Sequence, residues 1–173
     1  NEWLDSSDCT VRELLRYITT KNRMRDAQIE AIKTYLFLKI ACGNRPLWEL
    51  FVDGVFNDTN IEQVELTETA RKIFKTNKAA VALFQYSRLK DKNGKQLAPE
   101  LEAYIKSHAD EIDYEVTFRK IFYGVDYTDY LFSLPMGAGK TYLMAAFIYL
   151  DLYFAQNEPN NPVFAHNFMV FAP

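Results

Sequence analysis

Positive charge is what this 173-residue sequence is short of: 20 lysines and arginines stand against 23 aspartates and glutamates, a formal net charge of −3. No global basic field announces a nucleic-acid partner, so any such contact needs a local patch. Cysteine is scarce too. Cys9 and Cys42 lie far apart and make neither a disulfide framework nor a metal-ligand pattern, so reduced thiols and a cytoplasmic location are expected. No apolar run reaches the roughly 18 residues of a membrane-crossing helix. The most apolar stretch, residues 142–154, is short and interrupted by Asp151, which predicts a buried helix and no membrane partner. Residues 1–5 are acidic and lack the basic and apolar regions of a secretory signal. There is no internal repeat and no low-complexity tract. What is abundant is apolar: 49% of residues are hydrophobic and 15% aromatic, enough for a packed core.

Helical spacing dominates the first three quarters of the chain. Thr10 and Glu13 have capping-box spacing ahead of Val11, Leu14, Leu15 and Ile18. A basic turn over residues 21–25 leads to a second helix with Asp26 as its N-cap. Ile29, Ile32, Leu36 and Ile40 form one face there, and Gly43 is its stop. Pro46 opens a short helical run, and residues 57–60 read as a turn. Helical spacing resumes over residues 67–89 with a break near Asn77, then gives way to a polar loop at 90–95. Pro99 suits the first turn of another helix, and residues 114–122 form one more.

The pattern then changes. Residues 130–134 and 168–172 read as strands, with a helix over 139–156 between them. The expected plan is a largely helical region of roughly 120 residues, then one β-α-β unit with parallel strands and a right-handed crossover. Between the first strand and the helix stand Pro135, Met136, Gly137, Ala138, Gly139, Lys140 and Thr141. Phosphate binding calls for this placement, because a helix N-terminus offers several backbone amides and a favourable dipole at one point. Gly137 and Gly139 let the backbone curl closely around a phosphate. Lys140 reaches the β- and γ-phosphates, and the Thr141 hydroxyl coordinates Mg²⁺. The strict pattern G-x-x-x-x-G-K-[ST] has its first glycine where this chain has Leu134.

The segment from Leu134 to Thr141 resembles the A-x-T-G-x-G-K-T element of superfamily 2 helicases, especially in helicase-like subunits of type I and type III restriction enzymes. Met136 stands where that family usually has threonine. Residues 24–28, Met-Arg-Asp-Ala-Gln, are similar to the family's L-R-x-x-Q element, whose glutamine reads adenine through its amide. The resemblance implies that Gln28 selects ATP, that Arg25 supports the same pocket, and that Tyr142 adjoins the nucleotide. Residues 168–173 resemble the strand and proline that begin motif Ia. The fold implied is the opening unit of a RecA-like P-loop NTPase, an α/β fold.

The segments so divide into N-terminal helices with the glutamine element (1–45), a helical insertion (46–128) and the start of the ATPase domain (129–173). The insertion, a possible seat for a partner subunit, separates Gln28 from Lys140 far more than is usual in the family. No apolar strand ending in Asp-Glu is present to hold Mg²⁺ and position water. The expectation is therefore an incomplete fragment of a larger protein, hydrolysing ATP poorly or not at all by itself. The implied function is the ATP-binding part of a nucleic-acid-dependent ATPase. A DNA helicase or translocase of a restriction or phage-defence system leads, with DNA favoured over RNA. The alternatives are a P-loop ATPase or kinase of another branch, or a non-enzymatic helical interaction module with a degenerate nucleotide site. His108 and His166 have no partners at metal spacing. The acids Asp110, Glu111, Asp113 and Glu115 read as a charge run that solvates a helix end or loop. Tyr123, Tyr127 and Tyr130 are expected to pack around the first strand. Lys21, Arg23 and Arg25, and Lys90, Lys92 and Lys95, are the local basic patches.

Overall fold

The computed structural model describes residues 2–7, 9–21, 24–56, 64–91, 93–125 and 127–171, without the side chains of Glu2 and Lys21. Every regular element among these residues is helical: α1 (Glu2–Asp5), α2 (Arg12–Lys21), α3 (Asp26–Leu36), a π-helical turn (Phe37–Ala41), α4 (Leu47–Val52), α5 (Glu68–Thr76), α6 (Lys78–Ser87), α7 (Pro99–Ser107), α8 (Tyr114–Ile121) and α9 (Lys140–Asn157). No helix among them is long and apolar enough to cross a membrane. The expected turn at residues 57–60, Arg23 and Lys92 of the basic patches, and Ala172 with Pro173 lie outside the described residues.

Local chemistry explains most boundaries. Thr67 caps α5 by accepting the Ala70 amide at 3.2 Å. Asn77 ends α5 and caps α6, its Oδ1 accepting the Ala80 amide at 3.0 Å, so one residue makes the break. Pro99 opens α7, and Asp113 caps α8 through the Val116 amide at 3.1 Å. Two caps differ from expectation. α2 begins at Arg12, after Thr10, and Arg25 rather than Asp26 is the N-cap of α3.

The expected β-α-β unit does not form among the described residues, and with it falls the α/β, RecA-like fold. Residues 130–135 and 167–171 carry no strand, and the bridge found among the described residues joins Lys90 to Gln96. The two runs have the composition of strands, but a strand exists only by pairing with a neighbour, which composition does not supply. Their side chains dock on helices or face water instead. The Phe132 ring lies 5.0 Å from that of Phe147 and 6.2 Å from that of Tyr35, while Leu131 is 92% exposed.

The chain divides into two compact units, one made of Asn1–Arg45 with Tyr130–Pro173, the other of Pro46–Asp129. In the first, Leu15 and Ile18 of α2, Ile32 and Leu36 of α3, and Leu143, Leu150 and Phe154 of α9 share one core, closed by Phe164. Tyr35 stacks on Phe147 at 4.2 Å, so α3 and α9 meet ring against ring. In the second unit α6 is central. Its Ala79, Ala80, Ala82, Leu83 and Phe84 are buried, and α4, α5, α7 and α8 all pack on it. Small alanines let neighbours approach, and the rings of Phe51, Tyr86, Phe118 and Phe122 fill the space.

A charge pair lies inside the first unit. Lys39 falls on the face that Ile32 and Leu36 bury, and its Nζ stands 3.3 Å from Asp151 Oδ2. The same Nζ donates to the Val163 carbonyl at 2.9 Å, and the Ala165 amide donates to Asp151 Oδ2 at 3.3 Å. Both side chains are buried, at 11% and 4% exposure. Removing one partner strands the other's charge. Asp151→Ala should lower unfolding free energy by about 3–5 kcal/mol in urea titration, and Lys39→Met with Asp151→Leu should recover most of that loss.

Two tyrosines tie stability to alkaline pH. Burial, then the Asp151 carboxylate beside it, pushes the Tyr35 hydroxyl well above its ordinary value. Burial raises Tyr130 to about 12, Cys42 adding to the rise and Arg45 opposing it. Both ionise more readily in the unfolded chain, so their contribution is complete below about pH 10 and is lost as pH rises beyond it. Urea midpoints should hold up to about pH 9 and drop by about pH 11, and Tyr130→Phe should make that drop shallower.

Candidate functional site

Gly137 and Gly139 both adopt positive φ, +75° and +77°. The loop they shape leads directly into α9, with Gly139 as its N-cap in the left-handed region. The Leu143 amide makes the first helical bond, to the Gly139 carbonyl at 3.1 Å. The amides of Lys140, Thr141 and Tyr142 precede that bond, at the positive end of an 18-residue helix. Lys140, Thr141 and Tyr142 are exposed, as are Pro135 and Met136, the latter at 98%. Ala138 is buried, and its amide closes the turn on the Pro135 carbonyl at 3.2 Å.

The glutamine element meets this loop although 111 positions separate Gln28 from Gly139. Gln28 Nε2 donates to the Gly139 carbonyl at 3.1 Å, and its Oε1 accepts the Arg25 amide at 2.9 Å. The Arg25 guanidinium donates to the Gly137 carbonyl. Two loop carbonyls are thereby held on the α3 side. Gln28 itself is 5% exposed. A Cβ on Gly139 would lie 2.6 Å from Gln28 Nε2, whereas one on Gly137 would meet nothing within 4 Å. Gly139 is thus required twice, by its backbone angle and by the glutamine at its back, while the space beside Gly137 is open. These features fit a phosphate cradle.

No family model, no curated protein and no solved structure matches the chain. The site therefore stands on its own geometry.

Other candidates are not brought to this loop. His108 belongs to the second unit, its ring stacked on Tyr104 at 4.6 Å and its Nδ1 2.7 Å from Ser107 Oγ. His166 is exposed, and no cluster of three or more His, Cys, Asp or Glu among the described residues is arranged to hold a metal. Of the three tyrosines expected around the first strand, Tyr123 and Tyr127 are exposed, at 88% and 65%; Tyr130 is half-buried and donates to the Arg45 carbonyl at 2.8 Å. Cys9 and Cys42 are free and buried, and burial raises the Cys42 thiol, which keeps it protonated. Sequence reasoning missed the groove between α2 and α9, whose walls include Tyr17, Met24, Tyr142 and Tyr149. Tyr142, Tyr149 and Tyr153, seven and then four positions apart on an apolar helix, were its available signal.

Gly139→Ala tests the cradle's construction. Left-handed strain alone should cost about 1–2 kcal/mol in thermal unfolding. The contact with Gln28 adds to it, so Gly139→Ala in a Gln28→Ala background should cost measurably less than in the natural chain.

Proposed function

We propose that residues 134–142 bind the phosphates of a nucleoside triphosphate, ATP with Mg²⁺. We read the chain as the nucleotide-binding part of a nucleic-acid-dependent ATPase. The observation that carries phosphate binding is the braced loop: Arg25 and Gln28 hold the Gly137 and Gly139 carbonyls on one side, at the start of α9. Carbonyls turned away from the ligand face suit an anion, which needs amides and a cation nearby. Lys140, exposed beside that face, supplies the cation. Thr141 would supply one hydroxyl ligand to the Mg²⁺ that accompanies the nucleotide, whose chemistry is to neutralise charge developing on the phosphates. The reading does not call on a RecA-like sheet.

The assignment to a DNA helicase or translocase of a restriction or phage-defence system, acting in the cytoplasm, rests on the resemblance of two segments, around Gln28 and around Lys140. Nothing in the charge balance speaks for DNA. A second reading draws support from the helical fold: an interaction module that retains the loop in degenerate form, without catalysis.

ATP affinity should fall at least about tenfold in Lys140→Ala, since one charge-assisted contact of this kind contributes about 1.5–3 kcal/mol. Calorimetric titration checks this. ATP turnover by the full polypeptide that DNA stimulates and Lys140→Ala abolishes supports the motor. ATP binding indifferent to Lys140→Ala speaks for the module and against the cradle.

A further inference from the structure

The Gln28 amide is turned toward the loop. Both ends of its amide are engaged with backbone, Nε2 with the Gly139 carbonyl and Oε1 with the Arg25 amide, and the side chain is closed off from solvent. Its geometry is that of a positioning residue for the loop.

A different place adjoins the loop and has aromatic walls on which a base could stack. The groove between α2 and α9 has a volume of about 560 Å³. That lies within the range of pockets that take small molecules. It begins where the loop ends: Tyr142 follows Thr141 in α9, and Met24 precedes Arg25, whose side chain holds Gly137. Both segments of the phosphate site therefore continue into its walls. Its lining combines apolar side chains, among them Ile18, Ala145, Ala146 and Leu150, with tyrosine rings. Tyr17, Tyr142, Tyr149 and Tyr153 line it and are 62%, 48%, 60% and 40% exposed, so their rings are open to contact. The rings of Tyr149 and Tyr153 lie 6.5 Å apart, their planes inclined by 26°. Among the described side chains that line it the oxygens are tyrosine hydroxyls, and none is an amide or carboxylate that could match the edge of one purine against another.

We propose that this groove holds the base of the nucleoside triphosphate whose phosphates occupy the loop, by stacking and apolar contact. On this account the site takes adenine and guanine alike. The inference rests on phosphate binding at residues 134–142 and departs from the adenine selection that the family resemblance assigns to Gln28. Base–aromatic stacking is tolerant of base identity because every base has a π-face. A site with a committed amide reader instead rejects the wrong base strongly, since its buried polar groups are left unpaired.

The test is calorimetric titration of the full chain with three Mg²⁺-loaded ligands: ATP, GTP and inorganic tripolyphosphate. ATP and GTP should bind within about threefold of each other, and tripolyphosphate at least about tenfold more weakly, the worth of one stacked base. Tyr149→Ala, and Ala145→Leu which fills the groove from an exposed position, should each weaken both nucleotides by about tenfold and leave tripolyphosphate unchanged. Unchanged tripolyphosphate affinity also shows that each variant has folded. Gln28→Ala should weaken all three ligands by one common factor, as a loop brace would. Preference for ATP of about tenfold or more that Gln28→Ala removes would overturn the proposal and make Gln28 the adenine reader. Tripolyphosphate binding as tight as the nucleotides, or groove variants without effect, would overturn the groove while leaving the phosphate cradle standing. Failure of all three ligands to bind would overturn the cradle and the groove together.

Discussion

Lys39 carries a positive charge into the interior of the first unit, where Asp151 and the Val163 carbonyl receive it. Desolvating a lysine and an aspartate is costly, and the pair repays that cost only if every participating segment keeps its register. Three segments are bound by this condition. The π-helical turn presents Lys39, α9 presents Asp151, and the stretch after α9 supplies the Val163 carbonyl and the Ala165 amide. Tyr35 sits over the same centre, its ring stacked on Phe147 and 5.7 Å from the Lys39 nitrogen. An all-apolar contact between α3 and α9 would tolerate sliding; this one does not, because a shifted helix leaves a charge unpaired.

The consequence reaches the loop. α3 and α9 are held together at the ion pair, and each carries part of the proposed phosphate site at its N-terminal end. Arg25 and Gln28 open α3, while Gly139 and Lys140 open α9. Packing of the two helices therefore delivers the guanidinium and the amide to the loop carbonyls without any local sequence relation between them. The loop's glycines answer the same geometry. Gly139 has its unusual backbone angle because the chain must turn into α9, and it has no side chain because Gln28 occupies that space. Fold and site share one set of contacts, so damage to the core is expected to appear at the loop as well.

Helix caps and stops were legible in the residues themselves. Asn77 breaking one helix and starting the next, Pro99 opening α7, and the long helix after Gly139 all follow from side chains that satisfy or withhold a few nearby backbone groups. Such chemistry is local and survives in almost any tertiary setting. The loop at 135–141 was legible for the same reason, since glycines followed by Lys-Thr before an apolar run are a local pattern. The placement of Asp151 was visible only as an interruption in that run; its partner lies 112 positions away and no local rule connects them.

What the sequence determined by itself is therefore a series of helices with their ends, a glycine-shaped turn, and the residue types on which the proposed phosphate cradle rests. Tertiary structure alone decided three further matters. It left the aromatic runs at 130–134 and 167–171 without strand partners, because a strand is a relation between segments and not a property of one. It engaged the Gln28 amide with the loop, because hydrogen bonds are allotted by what comes within about 3 Å and not by residue type. And it gathered tyrosines from two helices around one groove, because only the packing of α2 beside α9 turns two separate periodic patterns into a single surface.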